Sequence, residues 1–576
     1  MSIESKNTIS QLKHNRFLVF SLVTLLAIQN LIFQITFKLN FPYSVDFTDI
    51  FTPMFDFIVN GEFTFFINKG IHVMFFPKLI SLPNLYFNSF DVVNLTYVYW
   101  IVMSLSIFFI YLIIKQTDRR LIWTIIPISA FIYNPLTTSG YFMLVMLEWY
   151  FPLLGIVSII YLLNKKTIKT KIFASSIGLA IFSTFSILLG VVSWIAGLTI
   201  LLKSLTEKKL YNKKWILLWI SSSTIIGFLY MQLTSGLSEP TRLDLLFSFT
   251  GFSFIANFLA SSFRLKYDIL MLVVGSFSIL ISFFYIWYFI KKDYLKQYFP
   301  WFVMLFTAFT GSIITALGRM QLEDHIGNEP YYSTISQLFQ IGLILLTAKI
   351  LLEYRLNSKT RKQKIIIVLL LTLIISQMIL LVPSYYSGWQ RGEYYFNEKS
   401  EFVTCFSLHP DKKCLEVGPM NHDLKTLSII NHLIKNEQSI FKDHQFTKVN
   451  PILKEKFSTF SLSKQNEMIG KISYINNTPI TLDSSNYELT DEIIKIDGSI
   501  NNSIYDNIEK IYLKIDDELL IEFTDFQIID NSPNSRDSDW SLFFMSGYIP
   551  NGCNTLAIFT MYNNDITNLD STTICK

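Results

Sequence analysis

No cysteine occurs before residue 405; the four in this 576-residue chain, Cys405, Cys414, Cys553 and Cys575, all fall in the tail. No Cys-x-x-Cys spacing or accompanying histidine pattern accompanies them, which disfavours a zinc site. Confinement to one segment instead fits an oxidising compartment, with neighbour pairing, Cys405 to Cys414 and Cys553 to Cys575, favoured among three connectivities. Charge is scarce as well: only 16% of residues are Asp, Glu, Lys or Arg, and the net charge is +4. That balance is too small to point to nucleic acid. The apolar runs are almost free of charge, which disfavours the deep relays of a transporter. A removable signal peptide is not expected, because the first apolar run is too long and lacks a small-residue cleavage pattern.

What the chain has in abundance is apolar and aromatic side chains, 51% and 16% of residues, with a mean hydropathy of +0.38. One soluble core cannot hide that much, so the sequence predicts a polytopic α-helical membrane protein. Apolar runs near 17–36, 92–114, 121–138, 141–163, 172–190, 191–203, 215–233, 268–290, 298–317, 333–353 and 364–384 suggest about 11 transmembrane helices, each about 20 residues to cross the hydrocarbon. The pair within 172–203 can also be read as a tight hairpin or as two half-spanning segments. A further stretch, 245–261, is expected to lie along the interface. Basic clusters fall in alternate connections, for example Lys115, Arg119 and Arg120, Lys291, Lys292 and Lys296, and Arg355, Lys359, Arg361, Lys362 and Lys364. The positive-inside rule makes these cytoplasmic, together with the N-terminus, and puts 37–91, 234–267, 318–332 and the tail after 384 on the other side.

Near residue 385 the composition turns polar. Alternating runs such as "KIYLKIDDELLIEF" (510–523) and "NTLAIFTMYNN" (554–564) predict strands of a C-terminal extracytoplasmic domain, mainly a β-sandwich and β-rich from about 470, while 420–465 reads as more helical.

Three outer segments hold candidate chemistry. "YSVDFTDIFTPMFDF" (43–57) carries Asp46 and Asp49 at i,i+3, able to share a helical face. Thr52 as N-cap and Pro53 at N1 separate them from Asp56, which is expected to be structural. An acid pair there can act as general base on a sugar hydroxyl or hold a divalent cation, against the plainer reading of solvated loop charges. "NKGIHVMFFPKLI" (68–80) has the aromatic and basic makeup of a headgroup-level segment, with Lys78 placed for a phosphate and His72 toward the pocket. "LGRMQLEDHIGNEPYY" (317–332) offers Arg319 for a phosphate or diphosphate, followed by Glu323, Asp324 and His325. Glu148 in "MLEWYF" is an isolated acid at a helix end whose cost requires a partner.

Together, "VDFTDIF", "HVMFFPKLI", "SILLGVVSWIAG" (186–197) and "TALGRM" (315–320), set in a first span, an acid-bearing outer loop and a bundle of further spans, resemble the GT-C class of integral-membrane glycosyltransferases. The resemblance covers roughly 10–385, and more loosely a tail like those of bacterial surface-polysaccharide modifying members. It implies an enzyme of the bacterial plasma membrane. Its donor would be a polyprenyl-phosphate-linked sugar drawn from membrane lipid, and its acceptor a lipid-linked or polymeric glycan of the O-antigen kind. Asp46 or Asp49 would be the catalytic base, Arg319 a carrier-phosphate ligand, and His72, Lys78, Glu148, Glu323 and His325 substrate-binding. Asp-x-x-Asp departs from the tighter acid pairs of many members and leaves open which aspartate acts. No cofactor is required on this reading, since Arg and Lys can stabilise the leaving phosphate, although a divalent cation is compatible with it. A polysaccharide polymerase or ligase, and a flippase for lipid-linked sugars, are the alternatives.

Overall fold

The computed structural model describes residues 3–38, 51–61, 73–138, 147–165, 167–206, 212–233, 243–265, 267–319, 327, 332–356, 360–408, 424–436 and 439, and eleven strands between 451 and 575. The chain divides into two compact units, one formed by 1–38, 45–88 and 92–393, the other by 39–44, 89–91 and 394–576.

The first unit is helical: α1 (Ile3–Thr36), α2 (Thr52–Asn60), α3 (Phe75–Phe87), α4 (Val93–Thr117), α5 (Ile125–Ile132), α6 (Pro135–Thr138), α7 (Leu147–Leu163), α8 (Thr170–Thr184), α9 (Val192–Thr206), α10 (Asn212–Leu233), α11 (Leu243–Leu246), α12 (Phe249–Ala260), α13 (Asp268–Lys291), α14 (Leu295–Arg319), α15 (Ser333–Leu356) and α16 (Arg361–Leu408). Among the described residues, seven helices are long and apolar enough to cross a membrane: Phe17–Thr36, Val93–Thr117, Lys213–Leu233, Asp268–Lys291, Leu295–Arg319, Ser333–Arg355 and Gln363–Phe396. This is a helical membrane protein, with seven such helices where the hydropathy runs predicted about eleven.

Three of the four remaining runs are divided by turns, and the fourth is described only in part. The run at 121–138 is divided between a 3-10 turn at Arg119–Thr124, the eight-residue α5 and the four-residue α6. The expected 141–163 span is described only as the 17-residue α7, with Pro152 inside it. The continuous run 172–203 is broken after Thr184, where a 3-10 turn at Leu188–Val191 precedes α9. Hydropathy sees apolar length; it does not see a chain reversal between two half-length helices. The stretch 245–261 holds α11 and α12, and in α12 Phe254–Ala260 is buried while Phe249 is 73% exposed. The close packing of α12 on α13 depends on Gly275, where a Cβ would collide with the Ala256 backbone. Helix α2 begins at Thr52, so Thr52 is its first residue and not its cap. Helix α16 runs past residue 385, where the composition changes, and carries Pro383 within it.

The second unit contains α17 (Leu424–Lys435) and two sheets. The strands are β1 (Pro451–Ile452), β2 (Gly470–Ile475), β3 (Thr478–Pro479), β4 (Tyr487–Glu488), β5 (Ile493–Asn501), β6 (Ile508–Ile515), β7 (Leu519–Phe523), β8 (Gln527–Ile529), β9 (Asp537–Met545), β10 (Cys553–Tyr562) and β11 (Asp565–Cys575). A six-stranded sheet has the order β1-β7-β6-β10-β11-β4, and a five-stranded one β3-β2-β5-β9-β8. The alternating run 510–523 lies in β6 (Ile508–Ile515) and β7 (Leu519–Phe523), an antiparallel pair. β10 (Cys553–Tyr562) joins β6 on one side and β11 (Asp565–Cys575) on the other, in a register that sets Cys553 opposite Cys575.

Candidate functional site

Five of the candidate catalytic and binding residues, Asp46, Asp49, His72, Glu323 and His325, lie outside the described residues, as do Asp324 and Cys414 of the expected Cys405–Cys414 pair. Three are placed. Lys78 on α3 is 2% exposed, Glu148 in the first turn of α7 is 3% exposed, and Arg319, half-buried, is the last residue of α14. Asp56 on α2 joins the buried set at 3% and takes a 3.5 Å contact from Asn60 Nδ2.

Helix α3 packs against both α2 and α7, so Lys78 stands on the helix that touches those of Asp56 and Glu148. Burying an ion in an apolar bundle is tolerable only with compensating charge or dipoles. Glu148 also sits in the first turn of α7, at the positive end of that helix's dipole.

Local structure fixes α3 firmly. Met74 precedes it with φ 40°, a left-handed conformation costly for a residue with a Cβ. The geometry delivers the Phe75 N–H to the Phe185 carbonyl at 2.8 Å and stacks Phe76 on Phe182 at 4.8 Å between centroids. Tyr230 of α10 is hydrogen-bonded to the Val73 backbone and feels the Glu148 charge. "HVMFFPKLI" is thereby anchored to the C-terminal end of α8, next to "SILLGVVSWIAG". In that second segment Trp194 Nε1 donates to Thr184 Oγ1 at 2.9 Å, and Trp219 Nε1 to the Trp194 carbonyl at 2.9 Å. Gly311 of α14, eight residues before Arg319, meets Leu189 and Val192 of the same segment. Two of the four motif segments, "HVMFFPKLI" and "SILLGVVSWIAG", thus lie in one region of the bundle.

Two polar systems went unrecognised in the sequence. The first joins Asp118, Arg120, Lys349 and Glu353. Asp118 follows α4 and accepts a forked pair from Arg120, Nε at 2.9 Å and Nη2 at 2.7 Å. Lys349 Nζ lies 3.2 Å from Glu353 and 3.7 Å from Asp118, and 4.9 Å from the centre of the Tyr298 ring. Burial pushes the Asp118 carboxyl up, but hydrogen bonds from the Arg120 side chain and backbone, with the charges of Arg120 and Lys349, outweigh it and hold the group below its ordinary value. A depressed carboxylate stabilises the fold fully above its unfolded pKa, about 3.9, and loses that contribution as pH falls through the lower folded value. Acid titration of thermal stability is therefore expected to show a loss below about pH 4 that is absent in Asp118→Asn. Parallel acid curves for the two proteins would count against this network.

The second system ends two helices inside the bundle. The carbonyls of α5 and its exit are taken by Tyr385 OH (to Ala130, 2.9 Å), Gln337 Nε2 (to Phe131, 2.9 Å) and Asn30 Nδ2 (to Tyr133, 2.9 Å). The Leu259 carbonyl near the end of α12 accepts from Ser336 Oγ at 2.8 Å and Gln340 Nε2 at 2.9 Å. Rings of Phe131 and Phe263 meet at 5.3 Å, so the two C-termini come together against one turn of α15. Backbone carbonyls left open by a broken helix must be satisfied this way in a dry interior.

Among the described residues no group of three or more His, Cys, Asp and Glu is arranged to hold a metal ion. No family model, no curated protein and no solved structure matches this chain. The fold defines its class, a helical membrane protein with a buried ionic centre.

Proposed function

We propose that this protein is a glycosyltransferase that moves a sugar from a polyprenyl-phosphate carrier to an envelope glycan or glycolipid on the outer face of the bacterial plasma membrane. The observation that carries the reading is the buried trio Asp56, Lys78 and Glu148, in which the helix of Lys78 touches those of the two acids. The loop bearing Asp46 and Asp49 is the direct connection between α1 and α2, so it is tethered to this centre by α2. A buried ammonium such as that of Lys78 suits a phosphate whose lipid tail must stay in hydrocarbon.

In the proposed reaction the carrier enters sideways, and its phosphate rests on Lys78 and Arg319. Asp46 or Asp49 takes the proton from an acceptor hydroxyl as its oxygen bonds to the anomeric carbon. The bond from that carbon to the phosphate oxygen breaks, and the electron pair leaves on the carrier phosphate, stabilised by the cations. Glu148, His72, Glu323 and His325 complete the pocket for the sugar and acceptor. The basic helix ends face the cytoplasm and the tail faces outward, its two sheets packed as a sandwich that orients the glycan.

Comparison of envelope glycans from cells carrying the intact gene with those carrying Asp46→Asn or Asp49→Asn tests this reading. At least one variant is expected to lose the sugar at equal protein level; unchanged glycans in both would rule out the assignment of the base. The outward tail has its own check. Directly paired strand residues sit roughly 4.5–5.5 Å apart at Cα, within the reach of a disulfide, so non-reducing peptide mapping of protein from native membranes is expected to recover Cys553 joined to Cys575. Recovery of both as free thiols would contradict an oxidising location.

One observation favours a second reading. Half-length helices whose ends meet inside the bundle, as α5 and α12 do, are a feature of secondary transporters, and Lys349 shows that the long helices are not charge-free. A flippase for lipid-linked sugars would move labelled carrier across vesicles without releasing carrier phosphate.

A further inference from the structure

Away from the ionic centre, a cavity of about 390 Å³ opens between α13, α14 and α15, within the size range of roughly 300–1,000 Å³ typical of ligand pockets. Its floor is buried Ser282, Phe302, Leu305 and Phe339, and its rims are Phe283, 60% exposed, and Phe306, 49% exposed. An apolar trough whose rims project outward from a membrane helix opens to lipid, not to water.

At one end the trough is bounded by Ile286 and Leu295, on either side of the tight turn where Asp293 adopts φ 54° and the Tyr294 N–H returns to the Phe289 carbonyl at 2.9 Å. That turn carries three exposed cations, Lys291, Lys292 and Lys296, against the single exposed anion Asp293. Lys291 Nζ lies 5.1 Å from the centre of the Trp287 ring, and Trp287 is 56% exposed. A tryptophan and lysine paired at a helix end mark headgroup depth.

We propose that this trough is a binding site for one anionic phospholipid of the leaflet on the basic side, its acyl chain lying over Phe302 and Leu305 and its phosphate held by Lys291, Lys292 and Lys296. The occupant follows from three features together. The lining is apolar enough for a hydrocarbon chain, the opening is lateral, and the charge at its mouth is net positive where a headgroup would sit. The site is independent of the transferase reading, because it lies at the opposite end of α14 from Arg319. A bound lipid there fills the space between α13 and α14 and holds the two helices together.

The full chain, purified in detergent, can be incubated with phosphatidylglycerol or phosphatidylcholine of identical chains and examined by native mass spectrometry. One phosphatidylglycerol is expected to be retained with at least tenfold preference. Lys291→Ala/Lys292→Ala/Lys296→Ala, all exposed positions that leave the core intact, is expected to bring the preference within twofold. Ser282→Trp, which fills the floor, should reduce retention of both lipids fivefold or more; if it fails to fold, the lysine variant decides. Equal retention of the two lipids by the wild-type chain, or an undiminished preference in the lysine variant, would overturn the proposal. So would displacement of phosphatidylglycerol by an added polyprenyl phosphate, which would give the trough to the sugar carrier.

Discussion

Lys349→Met is expected to destabilise the protein by about 3–5 kcal/mol, the cost of breaking a buried ion pair by removing one partner. Lys349 is 5% exposed and lies between Glu353 and Asp118, with the Tyr294 and Tyr298 rings within 5.4 Å of its ammonium. Removing the cation leaves Glu353 in a low-dielectric pocket with the Tyr288 hydroxyl at 3.3 Å. Asp118 suffers less, because Arg120 still grips it. The double variant Lys349→Met/Glu353→Gln is accordingly expected to recover most of the loss, and Lys349→Met/Asp118→Asn to recover little. Thermal unfolding of the purified proteins in detergent measures both cycles. A single variant as stable as wild type would show that the network carries no energy.

A second large effect is expected where α12 ends. Ser336→Ala/Gln340→Leu removes both side-chain donors to the Leu259 carbonyl, and an acceptor orphaned in a dry interior costs about 1–3 kcal/mol. Either change alone leaves one donor in place, so each single variant is expected to cost less than half of the double. The same thermal assay checks this. Single losses that add up to that of the double would mean that the two donors contribute independently and that neither substitutes for the other.

These two effects show where sequence reading stops. The seven long helices were legible because each is a continuous apolar run with a charged or polar boundary, such as Asp118 after α4 or Arg319 ending α14. α5 was not, since Ile125–Ile132 is as apolar as any span. What ends it is a set of donors 103 to 255 residues away in the chain, from Asn30, Gln337 and Tyr385. No local pattern announces a partner at that separation. The Asp118 network was hidden for the same reason. "TDRR" reads as a helix stop, and Lys349 with Glu353 reads as the fraying end of a span, until packing places Tyr298 and Asp118 beside them. A usable signal did exist: Lys349 and Glu353 stand at i,i+4 one turn inside an otherwise apolar run, a spacing that pairs them.

The candidate site was legible in another way. Glu148 was marked by its cost in an apolar setting and Lys78 by its place in an aromatic, basic segment, and both are buried. The sequence could not show that α3 packs on both α2 and α7, nor that Asp56, expected to be a structural acid, is buried as well. It could not show either that Met74 takes a left-handed conformation to dock α3 on Phe185. That contact draws two motif segments, more than 100 residues apart, into one region.

Transfer by the purified chain is the most direct test of the central claim. The full-length protein in lipid nanodiscs, supplied with polyprenyl-phosphate sugars and an envelope glycan acceptor, is expected to release carrier phosphate and label the acceptor in equal amounts. Asp46→Asn/Asp49→Asn should lower that rate by at least about 100-fold, the lower range for loss of a general base, with the same unfolding temperature as wild type. Equal rates in the wild-type and doubly substituted chains, or carrier crossing the bilayer with no phosphate released, would contradict the account.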